Sequence, residues 1–122
     1  SRPVPAPYPF VTMLSMFEGA TSFNQDIGGW DTSVISVMSR MFKNATSFNQ
    51  DIGGWDVERA TGMLEMFQDA QQFNKNLTCW LVEQFPSEPR GFSQGSGLQS
   101  SFKPLWGQSN TDTTGRTGSS CQ

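Results

Sequence analysis

One stretch of sequence decides the fold of this chain, because it occurs twice almost unchanged. It reads MFEGATSFNQDIGGWD at residues 16–31 and MFKNATSFNQDIGGWD at residues 41–56, with identity at 14 of 16 positions. A third copy, MFQDAQQFNKNLTCWL at residues 66–81, keeps six of these residues in the same 25-residue register. Such a period is too short for a compact domain and is typical of stacked repeats.

Each repeat begins with a Met-rich stretch whose apolar residues have the offsets 0, +3, +4 and +7, as in Met13, Met16, Phe17 and Ala20. These offsets predict one apolar stripe on a helix of about two turns. The later segment at residues 26–31 predicts a short extended strand with a kink at its two glycines. The sequence therefore predicts an α/β repeat solenoid of about three coils, each with one short strand and one short helix, flanked by extended N- and C-terminal arms.

Apolar residues are unevenly placed along the chain. Residues 10–85 hold 20 of the 25 Leu, Ile, Val and Phe side chains, and all seven prolines lie outside that range. Polar segments of this kind bury too little apolar surface to fold alone. We therefore expect a Pro-rich extended arm at residues 1–9, a three-coil repeat domain at residues 10–85, and a Ser/Gly/Thr/Gln-rich arm at residues 86–122.

Composition excludes several classes of function. The 8 basic and 11 acidic side chains give a formal charge of -3, which is the wrong sign for a nucleic-acid binder. The chain has no His, so His-dependent catalysts, metal sites and pH switches are excluded. No apolar run approaches the roughly 18 residues of a membrane span. We expect a protein that is not an enzyme, has no cofactor, binds no nucleic acid and does not span a membrane.

The repeat pattern resembles that of a known family. Over roughly residues 10–82 the chain follows M-x-x-MF-x-x-A-x-x-FNQDI-x-x-WD, which looks like the BspA-like surface-protein repeat family. The resemblance implies a leucine-rich-repeat-like solenoid, exposure at the cell surface, and adhesion or scaffold roles without catalytic residues. The third copy departs from the pattern, since residues 75–79 replace QDIGG, and this resembles a terminal coil with a more polar outer face.

Four columns at the 25-residue period carry polar or aromatic side chains: two of aspartates, one of asparagines and one of tryptophans. The aspartates could form a calcium site, but Asp beside Gly, Thr or Val more typically caps a turn through backbone N–H groups. The asparagines predict a ladder of amides that pair with backbone groups. The tryptophans predict core packing, or a ligand-binding stripe if they face solvent. The members are Asp26, Asp51, Asp31 and Asp56; Asn24, Asn49 and Asn74; and Trp30, Trp55 and Trp80.

Two kinds of covalent modification are expected in an oxidising, secretory environment. The sequons at Asn44 and Asn76 are candidate N-glycan acceptors. The two cysteines, Cys79 and Cys121, allow one intrachain bridge, a bridge to a neighbouring chain, or two free thiols.

The arms are the expected sites of contact with other subunits, through Tyr8, Phe10, Phe92, Phe102 and Trp106. A short repeat array leaves unpaired edges at both ends, and such edges favour head-to-tail assembly with copies of the chain or with other surface proteins. The sequence thus predicts a non-enzymatic extracellular structural protein, a solenoid subunit of a cell-surface assembly or filament. The alternatives are an adhesion module that holds a protein or glycan on a solenoid face, and an accessory subunit of a larger complex.

Overall fold

A computed structural model describes residues 11–108 of the chain. Regular secondary structure in this range is limited to a 3-10 helix, Ser100–Phe102, and two isolated parallel bridges. The bridges join Thr12 with Val37 and Val37 with Gly62. The predicted α/β repeat solenoid of short strands and short helices, leucine-rich-repeat-like, is therefore wrong. Among the described residues, no helix is long and apolar enough to cross a bilayer.

The Met-rich stretch is not helical because half of its N–H groups are used between repeats. In the first repeat, alternate N–H groups donate to carbonyls of the second at 2.8–3.0 Å: Met13 to Val37, Ser15 to Ser39, Phe17 to Met41 and Gly19 to Lys43. The intervening N–H groups close local turns, as in Met16 to the Met13 carbonyl at 3.1 Å. An α-helix would need these groups to donate four residues back along the same chain.

The same ladder joins the second repeat to the third. Its donor and acceptor pairs, at 2.7–2.9 Å, are Met38 to Gly62, Arg40 to Leu64, Phe42 to Met66 and Asn44 to Gln68. Each rung of this ladder runs from an N–H of one repeat to a carbonyl of the next repeat along the sequence, so along it the donors face one end of the stack and the acceptors face the other. Other backbone bonds between repeats run the opposite way, from the Ser36 N–H to the Val11 carbonyl at 2.7 Å and from the Thr61 N–H to the Ser36 carbonyl at 2.8 Å.

Left-handed backbone at two positions per repeat produces the turns. One position holds Ser15, Arg40 and Glu65, with φ of 54–57°, and the other holds Gly19, Asn44 and Asp69, with φ of 60–73°. Gly, Asn and Asp adopt this conformation more readily than other residues. The apolar offsets of 0, +3, +4 and +7 are thus met by successive turns rather than by a helix.

The segment predicted as a kinked strand is also a turn. In the first repeat the Asp26 carboxylate accepts from the Gly28 N–H at 3.0 Å, and the Trp30 N–H donates to the Ile27 carbonyl at 3.1 Å. The second repeat keeps both bonds, at Gly53 with Asp51 and at Trp55 with Ile52. Because the aspartate closes the turn, the segment does not extend into a strand.

The core consists of aromatic columns that run through the stack. Phe42 stacks on Phe48 within its repeat at a centroid distance of 4.2 Å, and on Phe17 and Phe67 of the adjacent repeats at 5.7 and 5.4 Å. The core side chains of the second and third repeats are buried. Their contacts, and not regular secondary structure, supply most of the hydrophobic stabilisation.

The described part of the C-terminal arm, residues 86–108, is not extended but forms a fourth repeat. Glu65, Phe67 and Asp69 donate backbone hydrogen bonds to the carbonyls of Arg90, Phe92 and Gln94 at 2.8–3.0 Å. The left-handed positions recur in this repeat at Gly91 and Gly95. Phe92 is buried in the same core as Phe67.

One glycine is required by close contact between repeats. A Cβ at Gly28 would clash with the backbone carbonyl oxygen of Asp51, whereas a Cβ at Gly29 would meet no atom within 4 Å. We expect Gly28→Ala to lower the free energy of unfolding by about 1–3 kcal/mol, because rigid backbone must shift. The matched variant Gly29→Ala should change it by no more than about 0.5 kcal/mol. Urea denaturation of both variants measures the difference, and equal effects would contradict the close packing.

Candidate functional site

The two sequons lie in different surroundings. Asn44 is exposed at a left-handed turn position with φ of 61°. Asn76 is partly buried, and its Oδ1 accepts from the backbone N–H and the hydroxyl of Thr78 at 3.0 and 2.8 Å. Glycosylation at either asparagine stays a prediction. Of the two, Asn44 offers the more open approach to a modifying enzyme.

The cysteine pairing is described at one end only. Cys79 is disulfide-bonded, and Cys121 lies outside the described residues. The assignment of the bridge to Cys79 and Cys121 stays a prediction.

The structure brings together two of the five predicted contact residues. Phe92 and Trp106 pack edge to face at a centroid distance of 4.9 Å, and Phe102 is partly buried and packs against the core. Tyr8 and Phe10 lie outside the described residues. The side chain of Phe92 contributes to packing within the chain, while Trp106 is only partly buried.

The aspartate columns cap turns, as the second interpretation of the sequence expects. Asp31 accepts from the backbone N–H and the hydroxyl of Ser33, and Asp56 accepts from the Glu58 N–H at 3.1 Å. The bonds from Ser33 lower the pKa of the Asp31 carboxyl, the hydroxyl contributing most. Within residues 11–108 no group of three or more acidic or Cys side chains is placed to hold a metal ion.

The asparagine column forms the predicted ladder. The Oδ1 atoms of Asn24, Asn49 and Asn74 each accept from the backbone N–H 25 residues later, at 2.8–3.0 Å. The last of these donors is Gln99, which extends the column into the fourth repeat. The ladder holds one corner of each repeat in the 25-residue register.

A charged cluster joins the second and third repeats. Glu65 Oε1 lies 3.1 Å from Arg40 Nε and 2.9 Å from Lys43 Nζ. The hydrogen bond from Lys43 lowers the pKa of the Glu65 carboxyl most, the bond from Arg40 lowers it further, and burial opposes both effects. The cluster pairs the Glu65 carboxylate of the third repeat with two cations of the second repeat, so its role is structural.

This lowered pKa makes part of the stability depend on pH. A carboxyl that is more acidic in the folded state stabilises the fold above its unfolded pKa of about 4.3. That contribution disappears as the pH falls through the folded-state pKa. We expect Glu65→Gln to be less stable than the wild type at neutral pH and equally stable in strong acid. Thermal unfolding at several pH values measures this, and Glu18→Gln is the control, because Glu18 makes no ion pair within residues 11–108.

Both ends of the stack expose apolar side chains that the interior repeats bury. Met16 is 49% exposed, whereas Met41 and Met66, one and two periods later, are fully buried. Trp30 is 41% exposed, whereas Trp55 and Trp80 are buried. With Leu14 at 52%, these residues and Phe17 define the N-terminal end face.

The C-terminal end face is formed by the fourth repeat and is defined by Gly91, Ser93, Gly95 and Leu105. Leu105 is 39% exposed and lies in the last described turn, where its carbonyl accepts from the Gln108 N–H at 3.2 Å. A shallow cleft of about 320 Å³ opens on this face, lined by residues 88–94 and Lys103. All four large hydrophobic residues that the structure exposes within residues 11–108 therefore lie at the two ends.

The end faces also differ in backbone polarity. The carbonyls of Leu14, Met16 and Glu18 accept no hydrogen bond from any described residue, although their counterparts in the later repeats all do. At the other end, the N–H groups of Gly91, Ser93 and Gly95 have no acceptor in the described part of the chain. The sequence predicted unpaired edges at both ends of the array but not the residues that form them, because their only sequence signal is that each column stops.

Comparison with known proteins gives one match. A family model described as "Mycoplasma protein of unknown function, DUF285" matches residues 9–104. No curated protein and no solved structure matches the chain. The matched range contains all four repeats almost entirely, so the fourth repeat belongs to the family unit together with the first three. The chain is a member of the DUF285 family.

Proposed function

We propose that this protein is a non-enzymatic structural subunit of an extracellular, cell-surface assembly, and that it contacts neighbouring proteins through the ends of its repeat stack. The observation that carries the proposal is the placement of Leu14, Met16, Trp30 and Leu105 at those ends. Exposed apolar patches of this kind mark protein contact surfaces. The sides of the stack carry the amide ladder and capped aspartates, whose hydrogen-bonding groups are used within the fold.

The proposal is supported by membership in the DUF285 family and by the resemblance of the repeat pattern to the BspA-like surface-protein repeats. In this proposal the repeats provide a rigid spacer, and the ends determine what the spacer joins. Cell-surface location further implies an oxidised Cys79 and access of Asn44 to glycosylation.

The test uses the cells that make the protein. An antibody against the chain should label intact cells, and Met16→Lys should release the protein into the medium, because a buried lysine disrupts an apolar contact. The matched control is Gln72→Lys, which adds the same charge at an exposed position of the third repeat. Retention of both variants at the surface, or labelling only after permeabilisation, would contradict the proposal.

A further inference from the structure

We propose that the partner at the N-terminal end face is the C-terminal end face of a second copy of this chain, so that the repeat ladder continues from one copy to the next. This inference rests on the proposed function and names the occupant of its contact surface. It is carried by hydrogen-bonding groups, apolar columns and charges that match between the two ends.

The backbone groups match in number and direction. Within the chain, the left-handed residue Arg40 donates to the carbonyl of Leu64, and Phe42 and Asn44 donate to Met66 and Gln68. The corresponding donors of the fourth repeat are Gly91, Ser93 and Gly95, since Gly91 and Gly95 occupy its left-handed positions. The corresponding acceptors of the first repeat are the carbonyls of Leu14, Met16 and Glu18.

Three donors without acceptors at one end thus face three acceptors without donors at the other. In the pairing we propose, Gly91 donates to Leu14, Ser93 to Met16, and Gly95 to Glu18 of the next copy. Exposed rows of unpaired backbone groups favour the addition of a second chain. A contact between two different faces does not close on itself, so the assembly grows in one direction.

The apolar columns continue across this contact in the same register. The fourth repeat of one copy would cover Trp30 of the next, just as the first and second repeats cover Trp55 and Trp80 within one chain. Met16 would enter the position next to Gly91, which belongs to the cleft of the C-terminal end. Met16 and Trp30 would then be buried, as their counterparts in the interior repeats are.

Charge favours this orientation over contact between two identical ends. Residues 11–31 contain three acidic and no basic side chains, whereas residues 86–108 contain two basic and one acidic. Two N-terminal ends brought together would repel each other, and unlike ends would attract. The charges therefore select the head-to-tail arrangement.

The decisive experiment mixes two variants of the full-length protein, each blocked at one end. Met16→Lys places a cation opposite Arg90, and Leu105→Glu places an anion beside the acidic first repeat. Both positions are exposed, so both variants should keep the wild-type unfolding midpoint. Gln72→Lys again serves as the control. Sedimentation velocity over a wide concentration range measures the species present.

We expect the wild type and Gln72→Lys to form oligomers that grow with concentration. Each blocked variant alone should be monomeric, with its association constant reduced by about tenfold or more. The equimolar mixture should form a heterodimer and no larger species, because one free N-terminal end meets one free C-terminal end. Mixing two copies blocked at the same end should give monomers only.

Three results would overturn the inference. The wild type could stay monomeric, either blocked variant could self-associate as well as the wild type, or the mixture could stay monomeric. Loss of surface retention in Met16→Lys cells without self-association of the purified protein would refute this inference and leave the proposed function standing.

Discussion

Replacing Phe67 by alanine is expected to lower the free energy of unfolding by about 3–5 kcal/mol, the cost of removing a large aromatic side chain from a well-packed core. Phe67 is fully buried at the centre of the stack. Its ring lies 4.3 Å from that of Phe73 and 5.4 and 5.3 Å from those of Phe42 and Phe92. The cavity would adjoin three repeats, and packing there cannot relax without moving the ladder that joins them.

Phe17→Ala is the matched control, because it makes the same substitution in the same column at the end of the stack. Phe17 has aromatic neighbours in its own repeat and in the second repeat, and it is only partly buried. We expect a loss of about 1–2 kcal/mol. Chemical denaturation compares the two variants, with circular dichroism to confirm that each folds. Equal losses would contradict the expectation that a Phe side chain contributes more to stability at the centre of the stack than at its end.

The second large effect is expected for Trp55→Ala, again about 3–5 kcal/mol. The indole of Trp55 is buried, and its Nε1 donates to the Ile27 carbonyl of the preceding repeat at 3.0 Å. Trp80 makes the equivalent bond to Ile52 at 2.9 Å. Alanine removes both the packed ring and the indole donor that links the two repeats, and it leaves the Ile27 carbonyl with the Trp30 N–H as its donor.

Trp30→Ala should cost much less, about 1 kcal/mol or below, since Trp30 is 41% exposed in the isolated chain whereas Trp55 is buried. Thermal unfolding at low protein concentration provides the comparison. A loss for Trp30 as large as that for Trp55 in the monomer would mean that the first repeat is covered. The comparison therefore tests the end face as well as the core.

The register of the fold could be predicted from the sequence, because a 25-residue period aligns identical residues in columns. The Phe and Trp columns pack as expected, and the Asn24, Asn49 and Asn74 ladder forms as expected. The turn-capping role of the aspartates was also one of two stated interpretations. Each of these depends only on which side chains recur at equal spacing.

The secondary structure could not be predicted from hydropathy, because the apolar offsets of the Met-rich stretch fit both a helix and a run of turns. The difference lies in where backbone N–H groups donate, and side-chain polarity does not encode that. A weak signal was present at Gly19, Asn44 and Asp69, three residue types that tolerate left-handed backbone and share one column. Ser15, Arg40 and Glu65 gave no such signal, and their conformation follows from the packing of neighbouring repeats.

The fourth repeat, and the residues that form the two end faces, could not be predicted for a related reason. Residues 86–108 are Ser- and Gly-rich, and they fold because the third repeat offers them a template of backbone groups and an aromatic core. The fourth repeat continues the row of backbone acceptors at Arg90, Phe92 and Gln94. It contains one extra residue, so the 25-residue period is not visible in the sequence there. The end faces lie where no further described repeat continues the backbone ladder and the aromatic core.

Residue-resolved amide hydrogen exchange tests most directly the claim that the repeats form a directional ladder open at both ends. The N–H groups of Met38, Arg40, Phe42 and Asn44 should exchange slowly at every protein concentration, because each donates to the third repeat. Those of Gly91, Ser93 and Gly95 should exchange quickly in dilute solution and slowly in concentrated solution, where a second copy supplies their acceptors. Fast exchange of the first group, or exchange of the second group that ignores concentration, would contradict the account.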